Sequence, residues 1–563
     1  MVRTFSGILR GLDAHLLTVE VDTDKHSFGF YLVGLADHAV REGQLRIHNA
    51  IRNAGYRLPR WRYLVNLAPA DLRKEGAAYD LTIAVGMLAE SGCFGAPLLA
   101  DYLLLGELSL DGRLKPVRGV LPVMELALRR GCKGVLIPRE NAAELEACRG
   151  IIPGIPVFAF KSLQEVVAFF EAGCPPEQAL RAALPKPKAY QPTCTGEETM
   201  ARVKGQALAK RALQVAAAGR HNVLLMGPPG CGKTLLAHCF AGLLGPMSSE
   251  DAWTQARIRS VMEGGRKDWS VGGKSLEDGL AERVPFRNPH HTITRQAMVG
   301  GGAWPQPGEV SLAHGGILFL DELPEFRREV LEALREPLEQ GQVMVSRQRH
   351  RVVYPARFVL IAAMNPCPCG YFGSEQERCT CPEPLIQKYQ RKVSGPLLDR
   401  MDLVVHMDRV KAEDLENAAS SSGPTLTASS SGPTLTASSS GPAPASSSSG
   451  PAPASSSSGP TPTASASGPH WRQPSLAPSG QEISHHPTGQ RPVQAPEDEL
   501  VGESRLLLQQ LMNRGTLSMR ACHRMIRVAS TIAKMEQSEF LQPQHLMEAY
   551  HFRQPKLMAD FSV

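Results

Sequence analysis

Eight consecutive residues, Gly227-Pro228-Pro229-Gly230-Cys231-Gly232-Lys233-Thr234, fit the pattern G-x-x-x-x-G-K-T. Glycines at this spacing let backbone N–H groups curl round a phosphate chain, and a following helix N-terminus adds partial positive charge. Lys233 would reach the β and γ phosphates, and the Thr234 hydroxyl would ligate Mg²⁺. Two acids, Asp321 and Glu322, end the apolar run Gly316-Ile317-Leu318-Phe319-Leu320. There Asp321 would hold Mg²⁺ through water and Glu322 would polarise an attacking water. Asn365 ends a third apolar run, Phe358 to Met364, where it would orient that water near the γ-phosphate.

These groups act together only if the chain brings them to one place. The phosphate loop follows the strand-like Asn222-Val223-Leu224-Leu225-Met226 and precedes the helical Leu235-Leu236-Ala237-His238-Cys239-Phe240, the context its motif needs. An ordinary glycine-rich turn would lack that flanking. The apolar runs before Asp321 and Asn365 read as strands of a buried parallel sheet, whose C-terminal ends form the ligand edge. An α/β domain that hydrolyses ATP with Mg²⁺ is the expectation.

At 563 residues the chain is too long for one core, so several domains are expected. A hydrophobic share of 42% with 21% charged residues is ordinary for a soluble globular protein. A net charge of +6 permits nucleic-acid binding without arguing for it. No stretch approaches the roughly 20 apolar residues of a membrane span. The N-terminus runs straight into strand-like sequence without the apolar core of a signal peptide, so a cytoplasmic location with no membrane partner is expected.

Segments 1–172 and 199–411 each mix strand-like and helical runs, joined by a Pro/Gly/Ala-rich linker at 173–198. Residues 497–563 read as helical, with Leu506, Leu507, Leu511 and Met512, then Met525, Val528 and Ile532, at helix spacing. Between them, 412–496 is mainly Ser, Gly, Pro, Ala and Thr, with Gly-Pro pairs every nine residues from Gly423 to Gly468. Too few large apolar residues occur there to offset chain entropy, so a disordered insertion is predicted, with a partner-binding or glycosylated stalk as the alternative.

The order of phosphate loop, acidic strand and strand-terminal Asn resembles the AAA+ ATPases. Longer motifs narrow the match: Phe286-Arg287-Asn288-Pro289-His290-His291-Thr292, Val299-Gly300-Gly301-Gly302, Pro307 to His314 and Asp321-Glu322-Leu323-Pro324-Glu325-Phe326 resemble the magnesium-chelatase-like ATPases. Cys367-Pro368-Cys369-Gly370-Tyr371 and Ser394 to Asp402 are similar to the YifB/ComM branch of that family. The resemblance implies an ATP-hydrolysing hexameric ring acting on DNA, with branch-migration helicase activity in the integration of transforming DNA. It also implies that Arg400 serves a neighbouring subunit's phosphoryl group, and that Arg520, in a C-terminal helical lid, contacts γ-phosphate within its own chain. A salt bridge inside Asp399-Arg400-Met401-Asp402 is the plainer reading of Arg400.

Asn66 to Leu81 and Gly106 to Arg113 look like the α+β Lon-protease fold (ribosomal S5 domain 2-like). Laid on that family's pattern, Ala78 stands where the Ser nucleophile belongs, and the Lys position falls near Leu121. With neither half of the dyad present, a scaffold or nucleic-acid-binding module is expected rather than a peptidase. Rival readings of the whole chain are a magnesium-chelatase subunit driving metal insertion, an ATP-dependent protease, and a regulator that only binds nucleotide.

Two further clusters remain. Gln342 to Tyr354 reads as a hairpin with a basic tip, from which Arg347, Arg349 and Arg351 could engage DNA phosphates without reading bases, or simply face water. Cys367, Cys369, Cys379 and Cys381 form two C-x-C pairs, while the other eight of the twelve cysteines are scattered singly. Four thiolates so close suggest a structural Zn²⁺ site that pins the loop after Asn365, with free thiols, another metal or a redox pair as alternatives.

Overall fold

Alternating apolar and polar residues make the first part of the chain a half-buried sheet. In the computed structural model the described residues are 1–34, 37–74, 76–148, 154–175, 200, 203–263, 284–302, 305–347, 350–374, 377–409, 502–513 and 518–553. Most of the predicted linker, and the whole predicted insertion at 412–496, lie outside them. The strands β1 (Val2–Arg10) and β2 (Asp13–Asp24) form an antiparallel hairpin. With β3 (Gly29–Val33), β4 (Arg62–Ala68), β5 (Tyr102–Leu104), β6 (Gly134–Pro138) and β7 (Val157–Phe160) they build a mixed seven-stranded sheet, ordered β3-β4-β2-β1-β5-β6-β7. The helices α1 (His38–Asn53), α2 (Asp80–Glu90), α3 (Val120–Arg129), α4 (Ala142–Ala147) and α5 (Leu163–Glu171) accompany this sheet. Nearly every residue of α2 is buried, so this helix is apolar all round rather than amphipathic.

The second sheet is parallel throughout. Its strands are β8 (Val223–Met226), β9 (Phe286–Arg287), β10 (Ile317–Leu320), β13 (Val359–Met364) and β14 (Leu403–His406), ordered β9-β10-β13-β8-β14. A separate hairpin, β11 (Gln342–Arg347) with β12 (His350–Pro355), precedes β13. Every residue of β8, β10 and β13 is buried, as expected of strands covered on both faces. One face packs against α6 (Ala207–Gly219) and α7 (Lys233–Leu243), the other against residues including Ile258 of α8 (Ser249–Glu263).

After α9 (Glu383–Gln390), the helices α10 (Gly502–Asn513), α11 (Met519–Met535) and α12 (Pro543–His551) follow. Met525, Val528 and Ile532 enter the same core as β8 and β13, and the Phe552 carbonyl accepts from Val404 N at 2.7 Å. The α10 periodicity is only partly realised: Leu511 is buried, while Leu506 stands 61% exposed. No helix among the described residues is long and apolar enough to cross a membrane.

The two sheets belong to one unit, Met1–Ala418 with Ala495–Val563, and α8 is their main joint. Ala256 of α8 is buried among N-terminal core residues, and Leu12 enters the core of the parallel-sheet region. Ser260 accepts from Leu121 N through Oγ at 3.2 Å and from Gly119 N through its carbonyl at 2.9 Å. Arg257 donates to the Leu12 carbonyl at 2.7 Å and to Asp13 Oδ1 at 2.6 Å. The tight β1–β2 turn is part of this seam: at Gly11, with φ +66°, a Cβ would lie 2.5 Å from Val352 of β12.

Glu144 of α4 lies beside this joint and is fully buried. Desolvation raises its carboxyl from the ordinary 4.5 to about 8, only partly opposed by the hydrogen bond from Asn141 Nδ2 at 2.9 Å. Its second oxygen has no hydrogen-bond partner, so ionisation there is unmatched. The folded chain therefore holds this proton more tightly than the unfolded chain. Stability from this group is fully present below pH 4.5 and is lost as pH rises through about 8. Denaturant titrations across that window should show a steeper alkaline loss for the parent chain than for Glu144→Gln; parallel curves would contradict this assignment.

Candidate functional site

The register of the parallel sheet decides which chain ends meet. Met226 is opposite Met364, and Leu320 is opposite Ala362, so β8, β13 and β10 finish close together at one edge. From that edge leave the phosphate loop, Asn365 and the acidic pair. The Asn365 strand lies between the other two, and this order places its amide beside the loop lysine.

The phosphate loop takes its shape from its glycines. A Cβ at Gly227 would sit 2.4 Å from the Met407 carbonyl, so no larger residue fits that close approach. Gly232 has φ +94° as it opens α7, a left-handed conformation that side chains rarely adopt. Cys231 between them is buried and packs under the loop.

Lys233 folds back into the loop. Its ammonium donates to the Gly227 and Pro228 carbonyls, both at 2.8 Å, and to Asn365 Oδ1 at 3.1 Å. Burial draws its pKa below the ordinary lysine range, with neighbouring Cys231 and Asp321 pulling the other way. A phosphate oxygen would compete with these neutral acceptors as a charged one.

Thr234 donates to Asp321 Oδ2 at 2.8 Å. A hydroxyl and a carboxylate oxygen already in contact are the hard donors Mg²⁺ takes, so the residues present fit that ion. Asp321 Oδ1 accepts from the backbone N–H of Glu322 at 2.9 Å, which helps hold the carboxylate still. Glu322 itself has φ +52°, unusual for a residue with a side chain and costing on the order of 1 kcal/mol. That bend turns its carboxylate outward, 62% exposed, with His291 Nδ1 at 3.8 Å. A strained backbone at a would-be catalytic residue is a recurring feature of active sites.

In the sequence His291 is only one member of the Phe286–Thr292 motif. Its proximity to Glu322 could not be seen there, because 31 positions separate the two. Arg287 and Glu309 in neighbouring motifs also pair, at 2.7 and 2.8 Å. They brace the segment that carries His291.

Arg400 departs from expectation. Its side chain is 5% exposed, pairs with Glu339 and donates to the Pro396 carbonyl at 2.5 Å. These contacts enclose the guanidinium within its own chain. The plainer reading of a salt bridge inside Asp399 to Asp402 fails, since Asp402 is bonded instead by Arg524 Nη1 at 3.1 Å and Asn222 N at 2.9 Å. Arg524 further donates to the Arg400 carbonyl at 2.7 Å, so both arginines brace the start of β14. Arg520 is exposed in the first turn of α11, capped by Ser518. No hydrogen bond joins it to the phosphate loop among the described residues.

The hairpin forms in the predicted place. Val343, Val345, Val352 and Tyr354 face the core, while Met344, Ser346, Arg351 and Val353 face outward. Arg351 donates to Met344 Sδ at 2.7 Å on the exposed side. Arg349 and the side chain of Arg347 lie outside the described residues. In the N-terminal sheet, Ala78 is half-buried before α2 and Leu121 is fully buried in α3, so apolar groups fill both dyad positions. Lys74 is fully buried with its ammonium on the Pro69 carbonyl, and desolvation lowers its pKa.

Beyond Asn365, the thiols of Cys367, Cys369, Cys379 and Cys381 lie within 4.8 Å of one another. Although desolvation works against it, amides of Tyr371 and Thr380 and the adjacent thiols bring Cys369 down to about 6. A thiol readily ionised at neutral pH suits a metal ligand.

Family models and known proteins match this chain. The magnesium chelatase subunit ChlI family model matches residues 199–415, its ChlI model residues 19–141, and its C-terminal model residues 494–553. Protein YifB of Salmonella typhimurium is 46% identical over 393 residues, 70% of this chain and 73% of that protein. Competence protein ComM of Haemophilus influenzae is 40% identical over 415 residues, 73% of this chain and 77% of that protein. A more limited likeness, 33% over 110 residues and 20% of this chain, links it to Lon protease 2 of Bacillus subtilis.

Two substitutions separate the roles within the site. Glu322→Gln should keep nucleotide affinity while ATP turnover falls about 10²–10⁴-fold, the range of a lost general base; unchanged turnover would remove Glu322 from the chemistry. Arg400→Ala should lower unfolding stability by about 1–2 kcal/mol, because Glu339 is half exposed and resolvates. A melting temperature unmoved by that change would contradict the bracing role. With the phosphate loop, the acidic pair and long matches to both relatives in hand, the chain belongs to the YifB/ComM family of magnesium-chelatase-like AAA+ ATPases.

Proposed function

We propose that this ATPase is a motor on DNA, working as a hexameric ring and acting as a branch-migration helicase in the recombination of transforming DNA. The observation that carries the reading is the hairpin, a separate strand pair just before β13 of the ATP-site sheet, with Arg351 on its outward face. Its name aligns the Haemophilus relative with competence, and the proposal extends that role to this chain.

In this reading Gly227 to Thr234 bind the triphosphate, and Thr234 and Asp321 hold Mg²⁺, whose charge offsets that of the phosphates. Glu322 takes the proton of the attacking water, with His291 limiting where its carboxylate turns. Asn365 exchanges its contact with Lys233 for that water as the lysine turns to phosphate. Arg520 serves as the sensor of γ-phosphate from a helical lid, residues 497–563. Residues 1–172 form a Lon-like module without a dyad that binds DNA or acts as a scaffold, and 199–411 form the motor domain. Arg347, Arg349 and Arg351 contact phosphates, so recognition is independent of sequence. The four thiols hold a structural Zn²⁺, and the protein works in the cytoplasm.

Measuring ATP turnover with and without single-stranded and branched DNA tests the proposal. Stimulation by branched DNA is expected. No response to any DNA, with partner-dependent metal insertion into a porphyrin instead, would favour a chelatase-type subunit. Replacing Arg347, Arg349 and Arg351 together by Ala should weaken DNA binding evenly across sequences. It should also flatten the salt dependence by about 0.7 per lost contact on single strands, or about 0.9 on duplex. An unchanged slope would take the hairpin off the DNA.

A further inference from the structure

We propose that a zinc ion held by Cys367, Cys369, Cys379 and Cys381 clamps the 366–382 loop against the phosphate loop, so that nucleotide affinity depends on the metal. The inference rests on the reading of Gly227 to Thr234 as the nucleotide site.

The four sulfurs are arranged for one ion. Cys367 and Cys369 Sγ are 3.2 Å apart, Cys367 and Cys379 are 3.7 Å apart, and Cys369 and Cys379 are 3.6 Å apart. A tetrahedral zinc with bonds of about 2.3 Å sets its sulfurs about 3.8 Å apart, close to these spacings. A multi-iron cluster would spread the thiolates wider. Backbone amides supply the outer support that thiolate ligands require: Phe372 N donates to Cys367 Sγ at 3.3 Å, with the Tyr371 and Thr380 amides at Cys369 and the Cys381 amide at Cys379. Four sulfur ligands leave no open position, so the site is structural rather than catalytic.

The loop needs such a staple. Residues 366–382 contain neither helix nor strand among those described, and such loops inside compact domains are uncommon. Its start is held by Gln390, which donates to the Pro366 carbonyl at 2.9 Å, and farther along Arg409 pairs with Glu377 and lies 5.4 Å over the Tyr371 ring.

The middle also touches the nucleotide site. Gly370, three residues after Cys367 and next to Cys369, has φ +88°, and a Cβ there would lie 2.5 Å from Cδ of Pro229. The backbone between the two C-x-C pairs therefore forms the back wall of the phosphate loop. The same loop starts at Asn365, which takes a hydrogen bond from Lys233. Loosening the cluster frees both the Pro229 wall and the Asn365 contact, and the loop loses its fixed curve. Zinc thus acts on nucleotide binding without touching nucleotide.

The test uses the full chain, purified under reducing conditions, with metal content read by plasma mass spectrometry and affinity read with a fluorescent ADP analogue. The native chain is expected to carry one zinc. The double change Cys379→Ser with Cys381→Ser should lose it and weaken nucleotide binding about tenfold, the scale of lost support around a metal site. Gly370→Ala should keep zinc yet weaken nucleotide binding similarly, which a folding failure would not mimic. Chelation of the native chain should weaken binding and added zinc should restore it. Iron in place of zinc, or no metal when zinc is offered, overturns the site. Zinc-free protein that binds nucleotide as tightly as native overturns the clamp. Lys233→Ala should lose nucleotide but retain zinc; if native protein binds zinc and no nucleotide, the failure lies in the nucleotide-site reading instead.

Discussion

Three buried strands, β8, β13 and β10, run parallel with their C-terminal ends nearly level, and the candidate site follows from that alignment. None of their residues is polar, all are covered on both faces, and the strands pair in parallel ladders. Whatever follows each strand must emerge at the same edge. That is why Lys233, Asn365 and Asp321, far apart in sequence, lie within hydrogen-bond reach of one another or of Thr234. A displaced register would move the acids from the lysine by a strand residue, about 3.3 Å, enough to break both contacts.

Around that edge, the chain uses rigid supports rather than extra ligands. Gly227 lets Met407 close beneath the phosphate loop, and Gly370 closes from behind through Pro229. Arg400 and Arg524 lie lower, where they tie the start of β14 to Glu339, Pro396 and Asp402. Arg400 is buried and Arg524 partly so, and both reach the same strand start from different segments of the chain. The outer parts, the hairpin and the exposed Glu322 carboxylate, are the ones free to meet other molecules.

The joint between the sheets ties the two halves of the unit through one helix. α8 lends Ala256 to the N-terminal core and Ile258 to the parallel-sheet core, and Ser260 and Arg257 fix its angle with side-chain hydrogen bonds. A helix shared in this way ties the two cores together by close packing. Glu144, buried beside it with an unmatched oxygen, makes the joint sensitive to alkaline pH.

Much of this was legible in the chain itself. The phosphate loop, the acidic pair and Asn365 are local patterns at strand ends, and the apolar runs before them demand burial, so their types and their strand–loop setting could be read from spacing. The hairpin at 342–355 was likewise visible, because alternation over two short runs needs no distant partner. Three things waited for the tertiary structure. Arg400 could not be judged, since its partner Glu339 lies 61 positions away and burial is set by everything packed around it. The left-handed turn at Glu322 and its approach to His291 depend on where β10 ends against the rest of the sheet. The gathering of the four thiols, and the approach of Gly370 to Pro229, depend on how the loop after β13 folds. Local order along the chain fixes which groups exist and which segments are strands or helices; only packing between distant segments decides which of those groups can touch.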